Sequence, residues 1–113
     1  MTGLVLLVLA WQFSDLSGRT FPRLSLVKLA TTASPRAEVC GPVVYVRKQQ
    51  DRDWHITLDD GTRKVVLEII PELPLPVPKK GHTIRARGVV RFDRRHGWPE
   101  LHPLLAWVAV QRC

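Results

Sequence analysis

"TIRARGVVRFD", Thr83 to Asp93, alternates apolar and basic residues along its length. Ile84, Ala86, Gly88, Val90 and Phe92 fall on one face, and Arg85, Arg87 and Arg91 on the other. A period of two marks a strand with one buried face, so the apolar set is expected inward and a basic stripe outward. Gly88 stands in mid-strand, where a side chain would normally pack. A glycine there fits a sharp bend or a close backbone approach of the kind a barrel corner requires. This segment alone therefore predicts a curved sheet.

The flanking sequence supplies its partners. Upstream, "EVCGPVVYVRK" (38–48) and "WHITL" (54–58) are alternating, β-branched runs joined by the polar turn "QQDRD" (49–53), which reads as a hairpin. Pairing Val46 with Ile56 and Val44 with Leu58 points both pairs into a core. The same register sets Tyr45 across from Thr57 and Arg47 across from His55 on the outer face. "DDGT" (59–62) is a glycine-containing turn into a third strand, "KVVLEII" (64–70), which stops at Pro71. "PELPLPVPKKG" (71–81) has four prolines, which excludes a helix interior or a central strand and leaves an extended connector. "ELHPLLAWVAV" (100–110) is a fifth strand. The expected core is Val44, Val46, Ile56, Leu58, Ile84, Val90, Phe92 and Leu101, with Trp54 and Trp107.

Five such strands, with glycine bends in the first and fourth, resemble the OB-fold, a small Greek-key barrel that is partly open. The likeness is to the tRNA-anticodon-binding type and to small bacterial OB proteins. It covers residues 38–110 and is carried by "VCGPVVYV", "DWHITLDDGT" and "GHTIRARGVVRFD". One departure is plain: the proline-rich connector replaces the helix often found between strands three and four. The resemblance implies an all-β, five-stranded Greek-key barrel over 37–113, behind a short, weakly structured extension, 1–36. It also implies a ligand surface on the face of strands two and three, flanked by the loops joining strands one and two and strands four and five.

At 113 residues the chain has room for one domain, and 45% hydrophobic with 24% charged residues is a globular composition. A net charge of +7 favours an anionic partner. In the extension, "GLVLLVLAWQF" (3–13) is shorter than the ~20 residues needed to span a bilayer, and no Lys or Arg precedes it. Basic residues, the apolar stretch 24–30 and a small-residue end at 31–33 then follow in the order of a secretory signal, although Lys28 lies inside the stretch. The balance favours export; the alternative is a helical arm. Cys40 and Cys113 are too few for structural zinc. Export would allow them to form a disulfide, but the reading adopted is a buried Cys40 and a free Cys113.

"FDRRHGWPELHPL" (92–104) concentrates the chemistry. A two-residue turn at His96 and Gly97 would pair Phe92 with Leu101 and Arg91 with His102, and set Asp93 against Glu100. Facing carboxylates need a cation nearby. His96, Glu100 and His102 have the atoms of a metal-dependent nuclease. Their spacing, however, leaves His96 at the turn tip and His102 several rungs below. No metal, cofactor or catalytic residue is assigned, and the cluster reads as a network pinning the hairpin. Arg94, Arg95 and Trp98 combine phosphate ligands with a stacking surface, and Arg47 and Lys48 do so from the opposite loop. The reading is a binding domain, not an enzyme. Its ligand is single-stranded nucleic acid, held by Tyr45, Arg47, Lys48, His55, Thr57, Arg87, Arg91, Arg94, Arg95 and Trp98 on the face of strands one and two and the two loops. The alternatives are an exported module for a small anion, a glycan or a protein and, less favoured, a metal-dependent nuclease. None needs a membrane span.

Overall fold

The computed structural model describes residues 21–113, so the apolar run 3–13 lies outside the described residues. A short helix, α1 (Leu26–Leu29), precedes five strands: β1 (Arg36–Lys48), β2 (Trp54–Asp59), β3 (Lys64–Ile69), β4 (Thr83–Asp93) and β5 (Trp98–Val110). They close into a barrel in the order β1-β2-β3-β5-β4, as the all-β, five-stranded expectation requires. β1 is long because it serves two neighbours. Its first half, from Arg36 to Pro42, pairs with β4, and its second half, from Val43 to Lys48, pairs with β2.

The change of partner is accompanied by an irregularity between Val43 and Tyr45 that alters the expected register. Val43, not Val44, faces Leu58, and Val44 is left 37% exposed. A bulge inserts one residue into a strand, and in the pair Val43–Val44 either valine satisfies a period of two. Beyond it, Val46 with Ile56, Tyr45 with Thr57 and Arg47 with His55 pair as expected. Thr57 is buried rather than exposed.

A second correction concerns the β4–β5 connection. Asp93 pairs with Trp98, so the loop is 94–97 and the register differs by two residues from that of a two-residue turn. Asp93 is the cause. Its Oδ1 accepts the His96 backbone N–H at 3.1 Å, and its Oδ2 lies 2.7 Å from His96 Nδ1. The Gly97 N–H then closes onto the Asp93 carbonyl at 2.7 Å, with Gly97 at φ 76°. Such side-chain-to-backbone bonds are how aspartate builds turns. Leu101 therefore faces Val90, Glu100 faces Arg91, and Phe92 faces Pro99 and is 44% exposed. Gly88 does mark a close approach. A Cβ at that position would lie 2.7 Å from the Pro103 carbonyl oxygen and 2.8 Å from Leu101 Cβ.

Ile56, Leu58, Leu67, Ile84, Ala86, Leu101 and Leu104 fill the barrel together with Leu26 and Leu29 of α1. The stretch 24–30, expected as a signal-like segment or an arm, thus contributes two leucines to the core. Residues 22–24 run beside β1, with Leu24 N–H donating to the Glu38 carbonyl and Glu38 N–H to that of Pro22, each at 2.9 Å. The connector contributes Leu75 and Val77 to the periphery of the core, and Trp107 Nε1 donates to the Pro76 carbonyl at 2.7 Å. Cys40 and Cys113 form a disulfide, which replaces the reading of two free thiols. It cross-links positions 73 residues apart, a closure that restricts the unfolded chain by roughly 4 kcal/mol in the chain-entropy account.

Urea denaturation of two variants checks this packing. Gly88→Ala, which forces a Cβ against backbone, is expected to lose about 1–3 kcal/mol. Phe92→Ala, at an exposed position beyond the core, is expected to lose less than about 1 kcal/mol, not the ~3–5 kcal/mol of a core phenylalanine.

Candidate nucleic-acid interface

β3 and β5 meet in parallel through two rungs, Val66 with Glu100 and Leu67 with Leu101. That pairing brings His102 beside Glu68, while the β2–β3 ladder sets His55 opposite Glu68. A polar row therefore crosses the outer face of three strands. His55 Nε2 lies 2.6 Å from Glu68 Oε1, and His102 Nδ1 lies 2.5 Å from Glu68 Oε2. Arg47 extends the row onto β1 as the partner of His55. Glu100, also buried, accepts the Trp98 indole N–H at 3.1 Å and has Arg91 Nε at 3.7 Å. Together with Asp51 and Asp53 from the β1–β2 loop and Asp93 and His96 from the β4–β5 hairpin, these residues line a cleft of about 590 Å³.

The cleft is rich in carboxylates, and their proximity separates their proton affinities. Burial pushes Glu68 up, but the hydrogen bond from His55 and the charges of His102 and His55 outweigh it and hold the carboxyl below its ordinary range. Burial, reinforced by the charges of Glu68 and Asp93, raises Glu100 despite the indole hydrogen bond. Burial also raises Asp53. The hydrogen bond to Glu68 raises His55 against its own desolvation, and the hydrogen bond from His96 lowers Asp93.

A second groove, of about 500 Å³, adjoins the first and shares Arg47, Gln49, His55 and His96 with it. Its walls are Tyr45, Val44, Thr57 and Val66 with Lys64 and Trp98. His96 lies flat on Trp98, with ring centroids 4.6 Å apart and planes 8° from parallel. Tyr45 is 50% exposed. β1 and the β4–β5 hairpin thus bring aromatic rings from distant parts of the chain to one groove.

No protein-family model matches the sequence, and no curated protein matches it. Solved structures do share its fold. A protein assigned as an aspartyl-tRNA synthetase from Leishmania major superposes with a TM-score of 0.65 at 12% identity, over 86% of this chain and 22% of that one. The asparaginyl-tRNA synthetase of Entamoeba histolytica, with asparaginyl-adenylate, gives 0.62 at 13% identity over 82% of this chain and 24% of its own. The S. pombe Stn1–Ten1 complex gives 0.56 at 11% identity over 67% of this chain and 58% of that one. The barrel is an OB-fold. The chain spans under a quarter of either synthetase.

On this OB-fold, Tyr45, Arg47, Lys48, His55, Thr57, Arg91 and Trp98 lie around the two grooves. Arg94 and Arg95 are exposed on the loop that carries His96. Arg87 is elsewhere. It is buried, its Nε lies 2.9 Å from Glu38 Oε1, and its guanidinium stands over the Phe21 ring. Glu38 also holds Arg23 at 2.7 Å and Arg85 at 3.2 Å, so Arg85 and Arg87 of the basic stripe serve a buried carboxylate rather than a ligand surface. His96, Glu100 and His102 do not converge. Among the described residues, the group of potential ligand atoms that does is Asp53, Glu68 and His102. Asp53 escaped sequence reasoning because it lies in a polar turn, and the role of Glu68 depends on a β3–β5 pairing that no local pattern encodes.

The pairing of His55 with Glu68 sets a pH dependence. A histidine whose folded value is raised contributes stability in full below its unfolded value near 6.5 and loses it as pH rises through the folded value. An imidazole NMR titration is expected to place His55 above 6.5 in the wild type. In Glu68→Gln it is expected to fall back to about 6.5 or lower.

Proposed function

We propose that this OB domain binds single-stranded nucleic acid, with bases in the groove between Tyr45 and the His96–Trp98 stack and phosphates on the surrounding cations. The observation that carries the reading is this groove. The exposed Tyr45 of β1 and the half-buried Trp98 of β5 flank one cavity on the face and loops where OB-folds take ligands. Sequence-tolerant binding of single strands uses base stacking together with a basic path for the backbone. Arg47, Lys48, Lys64, Arg94 and Arg95 provide that path at the rim. The acidic cleft repels phosphate, which directs the backbone along the rim rather than over Asp53, Glu68 and Glu100. The likeness to tRNA synthetases supports a nucleic-acid ligand, and the small share of each synthetase that is matched supports a binding rather than a catalytic role. No helix among the described residues is long and apolar enough to cross a membrane.

A second reading draws on the Cys40–Cys113 disulfide. Disulfides persist in oxidising compartments, which favours an exported OB module whose aromatic groove and carboxylates receive a glycan or a protein partner. Salt dependence helps separate the two readings, because binding a nucleic-acid polyanion releases counterions in proportion to the phosphates neutralised, whereas a neutral glycan releases none.

Fluorescence anisotropy with a labelled mixed-sequence single-stranded oligonucleotide, taken through a salt series, is the test. In the double variant Arg94→Ala with Arg95→Ala, the log–log salt slope is expected to fall by ~0.7 for each phosphate that these arginines neutralise. Trp98→Ala is expected to cost ~1–3 kcal/mol of binding with the slope unchanged, because stacking is not a counterion effect. Absence of binding at low salt would reject the nucleic-acid reading and leave the exported module.

A further inference from the structure

The floor of the acidic cleft has an arrangement that nucleic-acid binding does not account for. We propose that Asp53, Glu68 and His102 form a binding site for a divalent transition-metal ion such as Mn²⁺ or Zn²⁺. The three come from the β1–β2 loop, β3 and β5, and each offers one ligand atom within 4.8 Å of the others.

Glu68 is the centre of the argument. Its side chain is 7% exposed. His55 Nε2 occupies Oε1 at 2.6 Å, whereas Oε2 is buried without a hydrogen bond. His102 Nδ1 stands 2.5 Å from Oε2, but the approach lacks hydrogen-bond geometry. A buried carboxylate oxygen with no donor is costly unless a cation stands beside it. Among the described residues the ion pairs of Glu68 are with the imidazoles of His55 and His102. Arg91 is the nearest other candidate, with Nη1 at 3.3 Å from His102 Nδ1, but its Nε faces Glu100 and its side chain is 57% exposed. An ion between His102 Nδ1 and Glu68 Oε2 would replace their 2.5 Å ion pair and the solvent-facing Arg91 contact.

The donor set indicates the class of ion. Carboxylate oxygens suit Mn²⁺ and imidazole nitrogen suits Zn²⁺, and a mixed set accepts either. Three protein ligands leave coordination positions open toward the 590 Å³ cleft, the mark of a site that also receives an exogenous ligand. His55 holds Glu68 from the far oxygen, as the outer partners of metal-binding carboxylates do. His96 and Glu100 are not used, so the unfavourable spacing of His96, Glu100 and His102 in the sequence does not bear on this site.

The site stands apart from the nucleic-acid reading, and its test uses metal alone. Isothermal titration of the 113-residue chain with MnCl₂, and separately with ZnCl₂, is expected to show one saturable equivalent for at least one ion. Glu68→Gln and His102→Ala are expected to abolish it, and His55→Ala to weaken it by ~10- to 100-fold. His82→Ala, at an exposed histidine outside the cleft, is expected to bind as the wild type does, which controls for adventitious imidazole binding. On the wild type, substoichiometric Mn²⁺ is expected to broaden the amide signals of Asp53, Glu68 and His102 before others, a result independent of whether any variant folds. The proposal is overturned by the absence of saturable binding for both ions, by Glu68→Gln binding like the wild type, by equal losses in His82→Ala and His102→Ala, or by broadening centred elsewhere.

Discussion

Two rungs of parallel pairing, Val66 with Glu100 and Leu67 with Leu101, hold the rest of this structure in place. Without them the five strands are an open sheet in the order β3-β2-β1-β4-β5, with β3 and β5 at its edges. With them the barrel closes, Leu101 enters the core, and His102 is delivered to Glu68. Parallel pairing at this seam depends on β5 bending across β4, and the bend depends on Gly88, which lets the backbone at Pro103 come within a distance that no side chain tolerates. The core and the outer cleft are therefore two faces of one closure. Leu67 and Leu101 seal it from inside, and Glu68, Glu100 and His102 line it from outside.

Charge is divided between two regions of the molecule. Of the arginines on β4, two are committed to Glu38, which is almost wholly buried and also takes Arg23 from the segment before α1. That cluster fastens the N-terminal segment to β1 and β4, and it removes charge from the surface that net charge alone would assign to a ligand. Arg47 and Lys48 of β1 and Lys64 of β3 line the two grooves and Arg94 and Arg95 are exposed on the β4–β5 loop, while the cleft concentrates carboxylates and histidines. On the proposed reading a nucleic-acid strand meets cations around the groove and carboxylates in the cleft, and a cation bound in the cleft would widen its path.

The sequence disclosed the strands, the β1–β2 register beyond Tyr45 and the meaning of Gly88, because each follows from a local period or a local steric rule. It misassigned Val44 and Phe92. In the first case adjacent valines hid a bulge, and in the second the Asp93 side chain selected a four-residue loop over the two-residue turn that His-Gly suggests. Arg87 looked like a surface cation because its partner, Glu38, lies 49 residues away. The two leucines of α1 looked like part of an apolar leader because nothing local tells a signal-like stretch from a core helix. Of the interface, the aromatic and basic members were legible one at a time. Their convergence on one groove, and that of Asp53, Glu68 and His102, was not, since it is a product of the β3–β5 closure.

The central claim is that ligand is received on the outer face of β1 and β2 between the β1–β2 and β4–β5 loops. Amide and indole chemical-shift mapping of the chain during titration with a short single-stranded oligonucleotide addresses it directly. The account requires saturable shifts at Tyr45, Arg47, Thr57, His96 and the Trp98 indole, with Arg23, Arg85 and Arg87 unmoved. Shifts centred on the Glu38 cluster, or none at low salt, would contradict it.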